Sequence, residues 1–317
     1  MDIRQIHIPV SLERCIELLE PALSGPEAVL VDATLGMAGH AEAFLTRFPQ
    51  LRLIGIDRDT DALRIAGERL APFADRIELV HAVYDEITDV LDRLATPRVS
   101  GFLFDLGVSS LQLDRADRGF AYAQDAPLDM RMDQTTGITA ADAVATLTAD
   151  ELASIFRRFG DEKLAPRYAR AIVDARSNAP IETSGQLVDI LQKATPAALM
   201  NAGHPAKRVF QALRIHVNEE LAVLHRAIPQ ALKATRVGGR VVVLSYQSLE
   251  DRIVKAEFAE VTTDGTPAGV PVGIAALAPT FRLLTRGAEL ASDEEKAANP
   301  RATPVRIRAV ERVRDAA

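Results

Sequence analysis

Three acids and one glycine turn carry most of the chemistry visible in this chain. Asp32 follows the apolar run Ala28–Val31, Asp57 follows Leu53–Ile56, and Asp105 follows Gly101–Phe104. Between the first two lies Gly36-Met37-Ala38-Gly39-His40. Short apolar runs of this kind suit strands covered on both faces. Each acid then stands at the carboxyl end of a strand, the edge where open α/β sheets bind ligands. Gly36 and Gly39 let the backbone approach a ligand with no side chain in the way. The helix predicted after them opens with unpaired N–H groups. Asp57, ending the second strand, is placed to accept both hydroxyls of a ribose. Together these features form a cradle for a nucleoside.

The turn is not a dinucleotide fingerprint, which requires G-x-G-x-x-G to seat a pyrophosphate. Here the spacing is G-x-x-G, and the acid in the strand before it, Asp32, repels a pyrophosphate. An acid there suits a ligand with a cationic amino-acid end, such as S-adenosylmethionine. The plainer alternative gives Gly36 and Gly39 only a tight turn to make.

The elements that must hold these groups alternate along the first third of the chain. A helix is predicted over Val10–Leu19, a strand over Ala28–Thr34 and a helix over Ala41–Phe48. Strand Leu53–Ile56, helix Thr60–Leu70, strand Ile77–His81, helix Ile87–Leu94 and strand Gly101–Asp105 follow. The alternation predicts an α/β fold with a parallel sheet covered by helices. Residues 107–134 read as a long functional loop. From about Thr139 the pattern is helical. Thr148-Ala149-Asp150-Glu151 opens one helix as a capping box. Further helices are expected over Lys163–Arg176, Ser184–Lys193 and Ala206–Ala234, the last broken near Pro229. Strand signal returns at Gly239–Ser245, and Phe281–Thr285 with Val305–Val310 alternate like an antiparallel pair. The expected organisation is a discontinuous sheet domain, residues 1–124 and 218–317, with a helical insertion over 125–217.

Composition sets outer limits. The chain has 317 residues, 48% of them hydrophobic and 26% charged, ordinary values for a globular protein. No stretch approaches the roughly 18 apolar residues of a membrane span, and the first residues lack the apolar core of a signal peptide. With Cys15 the single cysteine, no internal disulfide can form. A cytoplasmic location is the resulting expectation. The net charge is −7, yet residues 155–256 carry 16 Lys and Arg against 9 Asp and Glu. That contrast fits a basic nucleic-acid face on an acidic protein, and equally a set of solvated helix faces. His7, His81, His216 and His225 have no metal-ligand spacing, so no metal is expected.

Longer motifs go beyond a generic cofactor fold. They are Phe104–Asp114 (Phe-Asp-Leu-Gly-Val-Ser-Ser-Leu-Gln-Leu-Asp), Arg118-Gly119-Phe120, Pro127–Asp133, His204–Ile215 and Ser248-Leu249-Glu250-Asp251-Arg252. With Asp32–His40 and Gly55–Asp59, in this order and spacing, the chain resembles the bacterial ribosomal RNA small-subunit methyltransferase H family from about His7 to Arg312. The resemblance implies a Rossmann-like methyltransferase with an inserted all-helical substrate domain. It implies methylation of N4 of a cytidine in the decoding region of 16S rRNA with S-adenosylmethionine as donor. The small ribosomal subunit would be the partner, no membrane is involved, and a homodimer is compatible with the family. Ala38, Gly39 and His40 are implied contacts of the methionine end of the cofactor, Asp57 of the ribose and Tyr84 of the adenine. Asp105 and Gln112 are implied as further cofactor contacts. The chain departs from the family pattern in three places. Ala38 stands where glycine is usual, the run Ser-Phe-His-Ser-Leu-Glu-Asp-Arg appears as Ser245-Tyr246-Gln247-Ser248-Leu249-Glu250-Asp251-Arg252, and part of a basic run is missing near 299–304.

Residue chemistry can be set beside that resemblance. Methylating an exocyclic amine needs alignment and a hydrogen-bond acceptor, for which Asp105 is the candidate; a purely cofactor-binding Asp105 is the alternative. Methylating cytosine at carbon 5 needs a thiolate, and Cys15, on the apolar face of a helix, reads as a small buried residue. A target base must leave its stack. Arg118 and Phe120 offer a charge and a ring at a pocket mouth, although Phe120 equally suits a plug between domains. Lys207, Arg208 and Arg214 are candidate phosphate contacts, each with a solvated or salt-bridged alternative. Residues 128–133 read as an ion-paired loop anchor, and Ser248 as a helix N-cap. Two rival functions stand against the methyltransferase. A nicotinamide-dependent dehydrogenase is disfavoured by the missing glycine and by Asp32. A catalytically weak or non-catalytic RNA-binding protein retaining the fold is encouraged only by Gln247, which cannot titrate.

Overall fold

The computed structural model describes residues 9–199, 203–266 and 277–315. Seven strands form one sheet: β1 (Val29–Asp32), β2 (Arg52–Asp57), β3 (Ile77–His81), β4 (Val99–Asp105), β5 (Thr235–Ser245), β6 (Phe281–Leu283) and β7 (Arg306–Arg312). Their order is β3-β2-β1-β4-β5-β7-β6. The first five are parallel, with Asp32 level with Gly55 and Leu103, and Asp105 level with Leu244. β7 runs antiparallel to both β5 and β6. The order reverses between β1 and β4, which opens a crevice at their carboxyl ends.

Helices α1 (Leu12–Leu23), α2 (Gly39–Arg47), α3 (Thr60–Arg69) and α4 (Ile87–Arg93) connect or precede these strands. The side chains of a strand alternate between its two faces, and both faces here are buried. Leu30, Leu53, Leu103, Val242 and Leu244 join Cys15 and Leu19 of α1 and Phe44 of α2 in one cluster. Val31, Ile54, Ile56, Phe102, Phe104 and Val243 join Val90 of α4 in the other. By the same alternation Asp32, Asp57 and Asp105 continue the first face, two residues beyond Leu30, Gly55 and Leu103. One sheet edge and one sheet face therefore carry all three acids.

The chain divides into two compact units, residues 1–107 with 221–317, and residues 108–220. The second contains α5 (Ser110–Asp114), α6 (Ala140–Thr146), α7 (Ala149–Gly160), α8 (Ala165–Arg176), α9 (Ser184–Ala194) and α10 (Ala206–Val217). Thr148 caps α7 as its sequence predicts: its hydroxyl accepts from Glu151 N–H and its own N–H donates to Glu151 Oε2 at 2.8 Å. Such a cap is worth about 1 kcal/mol. α8 starts two residues later than predicted, with Pro166 in its first turn, where a missing N–H costs nothing. The core of this unit includes Leu152, Phe156, Tyr168, Leu187 and Leu213.

α11 (Glu220–Ala234) and α12 (Ser248–Thr262) belong to the sheet unit, as does α13 (Asp293–Ala298). The predicted break at Pro229 is corrected by the structure, because α11 runs through that proline. The chain breaks instead after Val217. Glu219 takes a positive φ of 50°, and the Asn218 side chain binds Met130 O, Arg214 O and Met132 N–H. An amide that satisfies three backbone groups ends a helix more firmly than one missing N–H interrupts it. No helix among the described residues is long and apolar enough to cross a membrane.

Candidate active site

The loop from β1 to α2 is shaped by two residues in the left-handed region, Gly36 at φ 52° and Ala38 at φ 60°. A non-glycine residue there is strained by about 1–2 kcal/mol. Ala38 is fully buried in the cluster it shares with α1 and α2. Gly39 opens α2, and a Cβ on it would lie 2.7 Å from Pro9 Cγ, so this position needs glycine for close approach. Arg69 of α3 pairs with Glu42 at 2.7 Å and donates to Met37 O, tying the loop down from outside.

Asp57 reaches back under this loop. One carboxylate oxygen accepts Gly36 N–H at 2.7 Å and the other accepts Asp59 N–H at 2.8 Å. Each keeps a further lone pair, so the acid that shapes the turn can also take hydroxyl donors. Burial pushes its pKa up to about 6, against the pull of those two N–H groups. Asp32 is 2% exposed and accepts Thr34 N–H at 3.3 Å. Burial, with Asp105 and Asp57 nearby, pushes its pKa up to about 7. A buried acid in this state gains from any cation delivered to it.

Asp105 is the most connected of the three. Its N–H donates to Thr34 Oγ1 at 2.6 Å. Its Oδ1 accepts from the Tyr246 hydroxyl at 2.6 Å, and its Oδ2 lies 3.7 Å from His40 Nδ1. His40 is buried, and its Nε2 is 3.0 Å from Val10 O. A carbonyl only accepts, so Nε2 carries a proton and donates. Tyr84, in a short turn after β3, meets Phe104 edge to face at 5.8 Å. Its own ring is half-buried. Cys15, fully buried on α1, has its thiol pushed well above the usual range by desolvation and by Asp105 and Asp32. It is held as the neutral thiol, not as a nucleophile.

The structure thus gathers Ala38, Gly39, His40, Asp57 and Asp105 at the carboxyl edge of the sheet, with Tyr84 just past β3 at the same edge. Gln112 lies in the helical unit. Its Oε1 accepts Ser109 N–H at 3.1 Å, and its own N–H donates to Ser109 Oγ, a capping box on α5. Arg118 is 1% exposed and donates through Nη2 to Arg131 O and Met132 O. Phe120 is buried in the same core. Arg214 forms a two-pronged pair with Glu220 at 2.8 and 3.0 Å. Only Lys207 and Arg208 of the five suggested RNA contacts are exposed, and Arg208 also donates to Asp161 O. Residues 128–133 form the expected anchor, with Asp129 accepting from Arg131 twice at 2.9 Å. Gln247, not Ser248, is the N-cap position of α12.

Sequence reasoning passed over Tyr246 and Thr34, the two side chains that bind Asp105. Tyr246 was legible in principle, because it continues the Val242–Leu244 alternation onto the acid-bearing face.

A family model described as the MraW methylase family matches residues 4–313. The "Ribosomal RNA small subunit methyltransferase H" of Leifsonia xyli subsp. xyli is 63% identical over 98% of this chain and 95% of its own length. Proteins of the same name from Clavibacter michiganensis subsp. michiganensis and Streptomyces avermitilis are 63% and 59% identical, each over at least 98% of both chains.

Proposed function

Because this chain belongs to the MraW methylase family, we propose that it transfers a methyl group from S-adenosylmethionine to RNA of the small ribosomal subunit. The proposed acceptor is N4 of a cytidine in the decoding region of 16S rRNA. The carrying observation is the placement of three acids on one face of one sheet edge, beside a glycine turn that leaves the backbone bare.

The residues present fit the cofactor. Asp32, buried with its pKa raised to about 7, matches an ammonium that would restore its charge. Asp57 has lone pairs for two ribose hydroxyls, and Tyr84 has a half-buried ring for an adenine. When bound, the cofactor supplies a methyl group activated by a sulfonium, and no metal is needed.

The chain's own task is orientation. The lone pair of a cytosine amino group is delocalised into its ring, so the base is a poor nucleophile. Asp105, accepting one N4 hydrogen, would turn that lone pair toward the methyl and stabilise the positive charge that develops on nitrogen. Holding both reactants in line is worth roughly 7–11 kcal/mol. The surplus N4 proton leaves to water. Attack through carbon 5 would require a cysteine thiolate, and Cys15 is buried in the wrong protonation state for it. Exposed Lys207 and Arg208 on the helical unit are the groups left to meet phosphates. The reading places the enzyme with its substrate in the bacterial cytoplasm.

The test is radiolabelled methyl transfer to small subunits from a strain lacking the gene, followed by nucleoside mass spectrometry of the 16S rRNA. N4-methylated cytidine is the expected product. Intact cofactor binding with no transfer to these subunits would overturn the assignment.

A further inference from the structure

We infer that Tyr246 is a positioning residue for the methyl-transfer step, its hydroxyl fixing the Asp105 carboxylate in the orientation that meets the acceptor amine. The inference rests on the proposed role of Asp105 and adds to it the group that sets its geometry.

The hydroxyl donates to Asp105 Oδ1 at 2.6 Å, the length of a strong bond to a charged acceptor. Tyr246 itself is held at both ends. Its backbone N–H donates to Glu250 Oε2 at 2.8 Å, and Gln247 N–H donates to the same oxygen at 3.0 Å. Glu250 is 3% exposed, so this clamp is shielded from water. The ring packs on the cluster formed by α1, α2 and the sheet. On the other side Gly107 lies close to the ring; a Cβ there would be 3.8 Å from Tyr246 Cδ2. With its N–H bound to Thr34 and Oδ1 bound to Tyr246, Asp105 is fixed in both backbone and side chain, and Oδ2 lies 3.7 Å from His40 Nδ1 of the α2 turn.

The groups around this carboxylate are Asp32 from β1, His40 from α2, Cys15 from α1 and Tyr246 from the end of β5. Burial and Asp105 keep the phenol well above its usual pKa, so it stays a donor through the working pH range. Phenylalanine keeps the ring of Tyr246 and removes only the hydroxyl that Asp105 accepts.

The experiment compares full-length wild type with Tyr246→Phe, measuring methyl transfer to small subunits across pH, cofactor binding by calorimetry and thermal stability. Loss of a hydrogen bond to a charged group should lower kcat about ten- to a hundredfold. Cofactor affinity should change less than about threefold, since among the described residues the hydroxyl's hydrogen-bond partner is Asp105. Unchanged kcat would overturn the inference. So would a loss confined to KM and Tm, which would make Tyr246 a packing residue. Absence of transfer by the wild type would remove the proposed function, and this inference with it.

Discussion

Replacing Asp32 with Asn should stabilise the cofactor-free protein at pH 8 while weakening its hold on S-adenosylmethionine. Asp32 is 2% exposed, so solvent screening is slight. Its pKa rises from 3.8 to about 7 on folding. Between those values the native state binds a proton that the unfolded chain has released. Stability is therefore fully present below pH 4 and is lost as pH rises through 7. The gap corresponds to about 4 kcal/mol. Asparagine stays neutral throughout and can still accept Thr34 N–H, but its buried amide hydrogens cost about 1–2 kcal/mol. The net gain at pH 8 is then about 2–3 kcal/mol, shrinking to zero or reversing near pH 4.5. The assay is urea denaturation of wild type and Asp32→Asn at half-unit steps from pH 4.5 to 8, with and without cofactor. The difference between the curves isolates Asp32 from the other titrating groups. In the wild type cofactor binding should tighten from pH 5 to 7 as the carboxylate ionises, and the variant should lose that slope. Parallel stability curves over the whole range would refute the reasoning.

Ala38→Gly should raise stability by up to about 1 kcal/mol, because the left-handed backbone at φ 60° suits glycine; chemical denaturation would reveal it, and a loss would show that the methyl's packing outweighs the strain. Asp57→Asn should weaken cofactor binding about tenfold or more by calorimetry, since it removes the charge that Gly36 N–H and Asp59 N–H share and that the proposed ribose contact would use. Unchanged affinity would remove Asp57 from the binding site. Cys15→Ala should cost about 1 kcal/mol of stability and leave the transfer rate per folded molecule intact. A dead but folded variant would reinstate thiolate chemistry.

What was legible in the sequence follows from which signals are local. The runs ending in Asp32, Asp57 and Asp105 located three strands to within a few residues, because strands buried on both faces leave an unbroken apolar stretch. That the three acids share a face came from the structure, although period-two alternation along each strand accounts for it. Side-chain partners were another matter. The Asp105–Tyr246 bond spans 141 positions, and no pattern in either neighbourhood specifies it. Gln112, a cofactor contact implied by the resemblance, also closes a capping box on a short helix, a local bond the motif did not announce. Arg118 reads as a charge at a pocket mouth, yet it is buried and donates to backbone carbonyls at 131 and 132. Pro229 is a strong local breaker that tertiary packing overrides, while the true break depends on Asn218 reaching Met130 and Met132.

The interruption of the sheet by the helical unit sets an order of events during synthesis. β4 ends at Asp105 and its partner β5 begins at Thr235, about 130 residues later. At ribosomal rates the half-sheet waits roughly 6–30 s for that strand. Until then β4 is an open edge, with Phe102 and Phe104 lacking the cover that β5, α11 and α12 later supply. The helical unit draws its core from contiguous residues and can fold in that interval. Stalled chains ending between residues 220 and 235 should thus be sticky at the sheet while already ordered in the helices. Asp105 is made early and Tyr246 late, so the reactive edge is completed only when the last third of the chain has emerged.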